Sequence, residues 1–466
     1  MNKPKLCIAL MHDYAARDFL DSGVLEDLFK VFNLSFVCTQ RLTLDLKRFG
    51  PIYYYLEPTG FRLRFVQLAR GLFHMSDKGR FELNRRHALA RATFGIGGLN
   101  TRMISWLSAI GLSTPVGIVI RFYLRLTLRE SLPGNYQPDA FLAYTSVNSY
   151  FADDMVREAM RKKIPLLALT NNWDNLNTKS FVEPPPYLGV WGEQGFLIAR
   201  LMHLIPPHRI FIIGSPRFEI YRKLRPSKTQ ARKILNLKED ARVLLFCGAG
   251  VSFEESSLII ELEEAIAGGA IPHDVVILYK PHPLRFKRAN EKMLDFSLLK
   301  HVKLLESNRG LSELDVYPIM MAAADGVISP FSTMVIEGAL AGLPALCLGY
   351  NDPGHANHDW NRAGFNLHLY PIRHGDWAIV CSEREKFLEC CKNLIGLLDD
   401  NLLANQSRAA AEMIFTFGSK TVSQRISDSI LRIISGCDAD DSFVLSKRVG
   451  EFSNVQHQPS IISSKD

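Results

Sequence analysis

The sequence predicts an α/β chain of two Rossmann-like units, each built on a parallel sheet, facing one another across a cleft. Three observations carry this expectation. The chain has 466 residues, of which 47% are hydrophobic, and that length exceeds one ordinary domain. Short apolar runs alternate with helix-period stretches in two blocks, 1–222 and 223–436, the grammar of strand–helix–strand units. A basic segment at about 45–135 interrupts the first block and reads as a helical insertion; a polar tail, 437–466, follows the second and reads as disordered.

The first block opens with an apolar run at 6–11, then His12, Asp13 and Tyr14 before a helical stretch carrying Arg17, Leu20, Leu25 and Leu28. A second strand is expected at 34–38. Residues between a parallel strand and its helix lie at the strand's carboxyl end, where α/β ligand sites form. His12 or Asp13 is therefore a candidate general base, against the plainer reading of a polar turn at a helix start. After the basic segment come strands at 138–144 and 164–170 around a helix at 149–161. The second of these ends in a polar cluster with a tryptophan, Asn171 to Lys179, a candidate binding loop that includes Trp173, Asp174 and Asn175. A strand at 188–191, a helix through 202 and a strand at 209–213 complete the block, which ends in Gly214, Ser215, Pro216 and Arg217.

Charge is unevenly placed. Of a net +7, the stretch 61–130 holds twelve Lys or Arg against three acids, a local +9. Phe61, Phe65, Leu68, Leu72, Phe73 and Trp106 are interleaved with them, as in basic amphipathic helices at an anionic membrane surface. A solvated basic face beside an acceptor groove is the equal alternative. No nucleic-acid-binding motif accompanies the charge. Residues 103–120 carry no charge, but two glycines, a proline and several hydroxyls interrupt them, so a buried hairpin or an interfacial insertion is expected before a membrane-crossing helix.

The second block begins with a strand at 243–247 running into Gly248, Ala249 and Gly250, a turn where backbone can approach a ligand closely. A helix at 256–267 leads to a strand at 275–279 that ends in Lys280, Pro281, His282 and Pro283. Two prolines stiffen that turn and present a cation and an imidazole at the sheet edge, suited to a phosphate leaving group. A strand at 302–305 and a helix at 314–323 precede the stretch from Ala324 to Tyr350. There a strand at 326–328 enters a turn with Ser332 and Thr333, a helix carries Glu337 one turn further on, and a strand follows at 345–348. A helix start with free backbone N–H groups and two hydroxyls suits phosphate oxygens. Turns after parallel strands share one rim, so Lys280 and His282 converge with Ser332 and Thr333. Helices are expected at about 383–398 and 402–435.

The order of Lys280-Pro-His-Pro283, the Ser329-Pro-Phe-Ser-Thr333 turn, Glu337 and the Gly342-Leu343-Pro344 turn resembles the nucleotide-binding domain of GT-B transferases. It is most similar to the group of CDP-glycerol glycerophosphotransferases and bacterial surface-polysaccharide glycosyltransferases. The runs WDNLNTK at 173–179, VWGEQ at 190–194 and GSPRFE at 214–219 also look like segments of that group. The resemblance implies a GT-B fold and a glycosyltransferase moving a sugar from a nucleotide-activated donor to a cell-surface glycan or lipid-linked acceptor. Lys280 and His282 would serve the phosphates, Ser332 and Thr333 the same diphosphate, and Glu337 the ribose, with Gly248 and Gly250 lining the donor side. The base would be His12, Asp13 or Asp174; Arg17, Trp173, Asn175 and Ser215 are further cleft candidates. Neither metal nor cofactor is implied. Transfer of a polyol phosphate from a CDP-activated donor is the near alternative, a nucleotide-sugar epimerase a third, and a non-catalytic scaffold of the same fold comes from another class.

Eight cysteines without regular spacing read as reduced thiols. The N-terminal apolar run is too short for a signal peptide. A cytoplasmic protein, peripheral at most, is expected. His355, His358, Asp359, His368 and His374 invite a metal reading, but their spacing fits no ligand set, nor does Asp438 with Asp440.

Overall fold

The computed structural model describes residues 3–40, 42–76, 98–147, 149–248, 253–282, 294–305, 314–351 and 367–439. The N-terminal strands are β1 (Lys5–Leu10), β2 (Asn33–Cys38), β3 (Ile52–Tyr54), β4 (Ala140–Thr145), β5 (Leu166–Thr170), β6 (Tyr187–Val190) and β7 (Ile210–Ile212). They form one sheet in the order β3-β2-β1-β4-β5-β6-β7, parallel throughout. The second sheet holds β8 (Arg242–Cys247), β9 (Val275–Lys280), β10 (Val302–Leu304), β11 (Gly326–Pro330), β12 (Ala345–Leu348) and β13 (Ala378–Cys381), ordered β10-β9-β8-β11-β12-β13 and also parallel. Both are doubly wound, with the order reversing beside β1 and beside β8.

The strands are continuous apolar runs because helices cover both faces. In β1, Leu6, Ile8 and Leu10 enter one core while Cys7 and Ala9 enter the opposite one. In β8, Leu244 and Phe246 face one way and Val243, Leu245 and Cys247 the other.

The helices used below are α1 (Asp13–Leu20), α2 (Val24–Val31), α3 (Gly60–Ser76), α4 (Gly98–Ala109), α5 (Ser113–Leu126), α6 (Tyr150–Lys162), α7 (Glu193–His203), α8 (Lys228–Ile234), α9 (Glu255–Ala267), α10 (Val316–Ala323), α11 (Thr333–Ala341), α12 (Phe387–Gly396), α13 (Asn401–Ile414) and α14 (Val422–Ile434). Two helices and two strands differ from the sequence reading. The first helical stretch is broken into α1 and α2 at Gly23, whose φ of 72° suits glycine. The expected helix 402–435 is two, because Thr421 starts α14 with a capping box to Gln424. Strands β3 and β13, at the two sheet edges, are additions to the sequence reading. Helix α14 crosses back to the first unit: Val422, Ile426, Ile430 and Ile433 join the core of β1, α1 and α2.

Among its described residues the basic insertion is helical over α3, α4 and α5 as expected, while 52–54 is strand β3 of the sheet, and several of the described arginines point inward. Arg62 pairs with Asp154 at 2.6 Å. Arg125 and Arg121 both face Glu183, and Arg157 spans Asp154 at 2.7 Å and Glu183 at 3.0 Å. Arg157, Asp154 and Glu183 are almost wholly buried. Burial raises Asp153 to about 6, opposed by Arg157 and Arg70 beside it. These arginines fasten α3 and α5 to α6. Glu183→Gln should therefore lower unfolding stability by about 3–5 kcal/mol in urea titration, since it strands buried guanidinium groups. Arg102→Ala and Arg129→Ala, on the exposed side, should stay within about 0.5 kcal/mol of wild type.

Candidate active site

A cavity of about 470 Å³ lies between the carboxyl ends of the two sheets, at both order reversals. From the first unit it is lined by Tyr14, Arg17 and Asp18 of α1 and by Asn172, Trp173 and Asp174 after β5. From the second come Gly248 after β8, Lys280 at the end of β9 with His282 just beyond it, and Ser332, Thr333 and Met334 at the start of α11.

The geometry of the second unit's wall starts with β11. Its last residues hand over to Ser332, the N-cap of α11, whose Oγ accepts from the Met334 N–H at 3.2 Å and lies 2.9 Å from Ser329 Oγ. That cap turns the helix start, with its positive dipole end, toward the cavity. Lys280 Nζ lies 5.0 Å from the Tyr317 ring centroid and the Arg217 guanidinium 4.8 Å from the same ring. One aromatic ring thus holds two cations at the cleft. Lys280, His282, Ser332 and Thr333 converge on the cavity as expected.

Glu337 is the carboxylate expected at the ribose. It is fully buried, outside the cavity lining. Its Oε1 accepts from Arg217 Nη2 at 3.0 Å and its Oε2 from Tyr221 O–H at 2.6 Å. The carboxylate therefore orients Arg217, tying α11 to the segment after β7. Gly248 lines the cavity, yet its lack of a side chain has another cause: a Cβ there would fall 2.5 Å from Glu255 Oε2. Gly250 lies outside the described residues.

On the opposite wall the two candidates next to β1 are displaced. Asp13 gives its carboxylate to Thr43, accepting from its N–H and Oγ1–H at 2.7 Å each. Partial burial raises its pKa, but these bonds and Arg17 outweigh that and hold it below the usual range. His12 stacks on Tyr14 with centroids 5.2 Å apart, and neither His12 nor Asp13 lines the cavity. Asp174 and Trp173 do, and Trp173 meets His368 edge-on at 4.7 Å. Asn175 is buried behind them, bonded to Asn171 and Lys179 at 2.7 Å each. Ser215 is buried outside the lining.

The residue that sequence reasoning missed is Asp18. It is 8% exposed, lines the cavity, and accepts from Tyr144 O–H at 2.7 Å. Burial pushes its carboxyl up to about 6, although Arg217, the Tyr144 bond and Arg17 pull the other way. A carboxylate poised there exchanges protons near neutral pH. Its sequence signal was only its place on the helix after β1. Arg217 was visible within GSPRFE but carried no role of its own.

Among the described residues no cluster of three or more His, Cys, Asp or Glu is placed to hold a metal ion. His355, His358, Asp359 and Asp440 lie outside the described residues.

No family model matches the sequence, and no curated protein matches it. Solved structures do. The glycotransferase of kitacinnamycin superposes with a TM-score of 0.52 at 13% identity, over 93% of this chain and 99% of that one. A putative UDP-N-acetylglucosamine 2-epimerase from Listeria monocytogenes gives 0.51 at 12%, over 95% and 100%. The wall teichoic acid polymerase TagF gives 0.50 at 11%, over 93% and 90%. With its two doubly wound sheets and the cleft between them, the chain has the GT-B fold that these proteins share.

Proposed function

We propose that the protein is a glycosyltransferase that moves a sugar from a nucleotide-activated donor to a cell-surface glycan or lipid-linked acceptor. One observation carries the reading: a single cleft sets Lys280, His282, Arg217 and the start of α11 on the donor side against the buried carboxyl of Asp18. Asp18 takes the proton of the acceptor hydroxyl as its oxygen bonds to the anomeric carbon. The bond from that carbon to the donor phosphate breaks, and the charge left on the nucleotide is met by the cations and the helix end. These groups hold the leaving group in place of a metal ion or cofactor in this reading. A lipid-linked acceptor would bring the protein to the cytoplasmic face of a membrane as a peripheral enzyme.

Thermal-shift screening against UDP, GDP, CDP and CMP tests the donor site. A nucleotide at about 100 times its Kd stabilises by about 2.7 kcal/mol and should raise the midpoint by several degrees. No shift with any of them at millimolar concentration overturns the reading. Transfer of a polyol phosphate from a CDP-activated donor would instead attack phosphorus and release CMP, so the released nucleotide separates many of these cases. A scaffold of this fold would release none.

A further inference from the structure

Helices α4 and α5 form a hairpin whose inner face is core: Ile104, Ile120 and Leu124 pack with Val66, Ala69 and Leu72 of α3. The outer face is also apolar. Trp106, Ile110, Ile118, Val119, Phe122 and Leu126 are each between 47% and 69% exposed. On α5 they fall at the i, i+1, i+4, i+8 spacing of one helical stripe. An apolar stripe of this density on a helix pair marks a docking surface.

Charge identifies what docks. Residues 98–129 contain four arginines and no acidic residue. Two of them, Arg121 and Arg125, turn inward to Glu183. The exposed ones, Arg102 and Arg129, sit at the open end of the hairpin, where α4 begins and α5 ends. Arg64 joins them there, because Arg62 donates to the Leu124 and Thr127 carbonyls and so sets the start of α3 beside the end of α5. The opposite tip is Ile110, Gly111 and Leu112. Apolar stripe and tip with cations confined to the base match a boundary between acyl chains and anionic headgroups. The helices, about 18 and 21 Å long at 1.5 Å per residue, are short of the ~30 Å needed to cross, and no helix among the described residues is long and apolar enough to do so.

We infer that the outer face of the α4–α5 hairpin is a membrane-docking surface, seated in the interface of an anionic phospholipid bilayer with Arg64, Arg102 and Arg129 at the headgroup phosphates. This deepens the peripheral-membrane part of the reading above and stands without its transferase part.

The test is vesicle flotation of the full chain with phosphatidylglycerol–phosphatidylcholine vesicles and with phosphatidylcholine alone. Wild type should float with the anionic vesicles, more weakly as salt rises, with a blue shift of tryptophan emission that Trp106→Phe removes. The double variant Val119→Glu/Phe122→Glu should lose vesicle affinity by about tenfold or more, with its thermal midpoint and any nucleotide-induced shift unchanged. Absence of flotation, or equal flotation of the double variant, overturns the inference. A changed midpoint or oligomeric state in that variant also overturns it, because the face would then be covered by protein. Nucleotide shifts on the same preparations report separately on the donor site.

Discussion

Asp18→Asn lowers kcat by about 10²–10⁴-fold while the KM for donor changes little, as expected for loss of a general base that does not bind donor. The substitution keeps the shape of the side chain and its bond from Tyr144, so the fold is preserved. Steady-state kinetics with donor varied at saturating acceptor, and acceptor varied at saturating donor, checks it. The kcat/KM profile of wild type should fall on the acid side with an apparent pKa near the value of about 6 set by burial, and the variant should lose that limb. Should Asp174→Asn collapse the rate while Asp18→Asn does not, the base is Asp174.

The same carboxyl makes a second, independent signature in stability. Its folded pKa is raised above the unfolded value, so its favourable contribution is full below about 3.8 and is lost as pH rises through about 6. At pH 8 the charged, buried Asp18 is therefore a burden of up to about 3 kcal/mol, because each tenfold loss of acidity on folding corresponds to about 1.4 kcal/mol. Asp18→Asn removes that burden: the variant should melt higher than wild type at pH 8 and show no such gain near pH 4. If Asp18 is the base, this cost to stability is the usual trade at an active site.

The parallel sheets were legible because strands such as 243–247 and 275–279 are apolar on both faces, a pattern that survives without tertiary information. Lys280, His282, Ser332 and Thr333 were legible for a related reason: each lies within a few residues of a strand end, and topology alone puts those ends on one rim. Asp18 and Glu337 were not legible. Asp18 reads as an ordinary polar residue of an amphipathic helix, and its setting is created by Tyr144 and Arg217, far away in sequence. Glu337 has the spacing of a ligand-binding carboxylate, yet Arg217 and Tyr221 occupy both of its oxygens. Likewise the basic insertion reads as one positive surface, while Asp154 and Glu183, which take up several of its arginines, belong to later segments of the chain.

Arg217 offers the other large effect, and its two roles can be separated. Arg217→Ala alone should destabilise by about 3–5 kcal/mol, because it leaves the buried Glu337 carboxylate unpaired, and any loss of activity would be uninterpretable. Arg217→Met with Glu337→Gln removes both charges while keeping volume, and replacing a buried pair in this way is often neutral. The double variant should therefore melt close to wild type yet bind a nucleoside diphosphate at least about tenfold more weakly, since one cation of the donor wall is gone. Binding of the uncharged nucleoside should be unaffected in it and in Lys280→Ala, because the two cations act on phosphate oxygens. Isothermal titration with the diphosphate and the nucleoside reads all four values. A double variant that keeps full diphosphate affinity makes Arg217 a strut between the two units and leaves Lys280, His282 and the start of α11 as the donor's only contacts among those named. If instead the nucleoside weakens as much as the diphosphate, Glu337 helps shape the ribose pocket through Arg217, and the position expected for it from sequence is recovered at one remove.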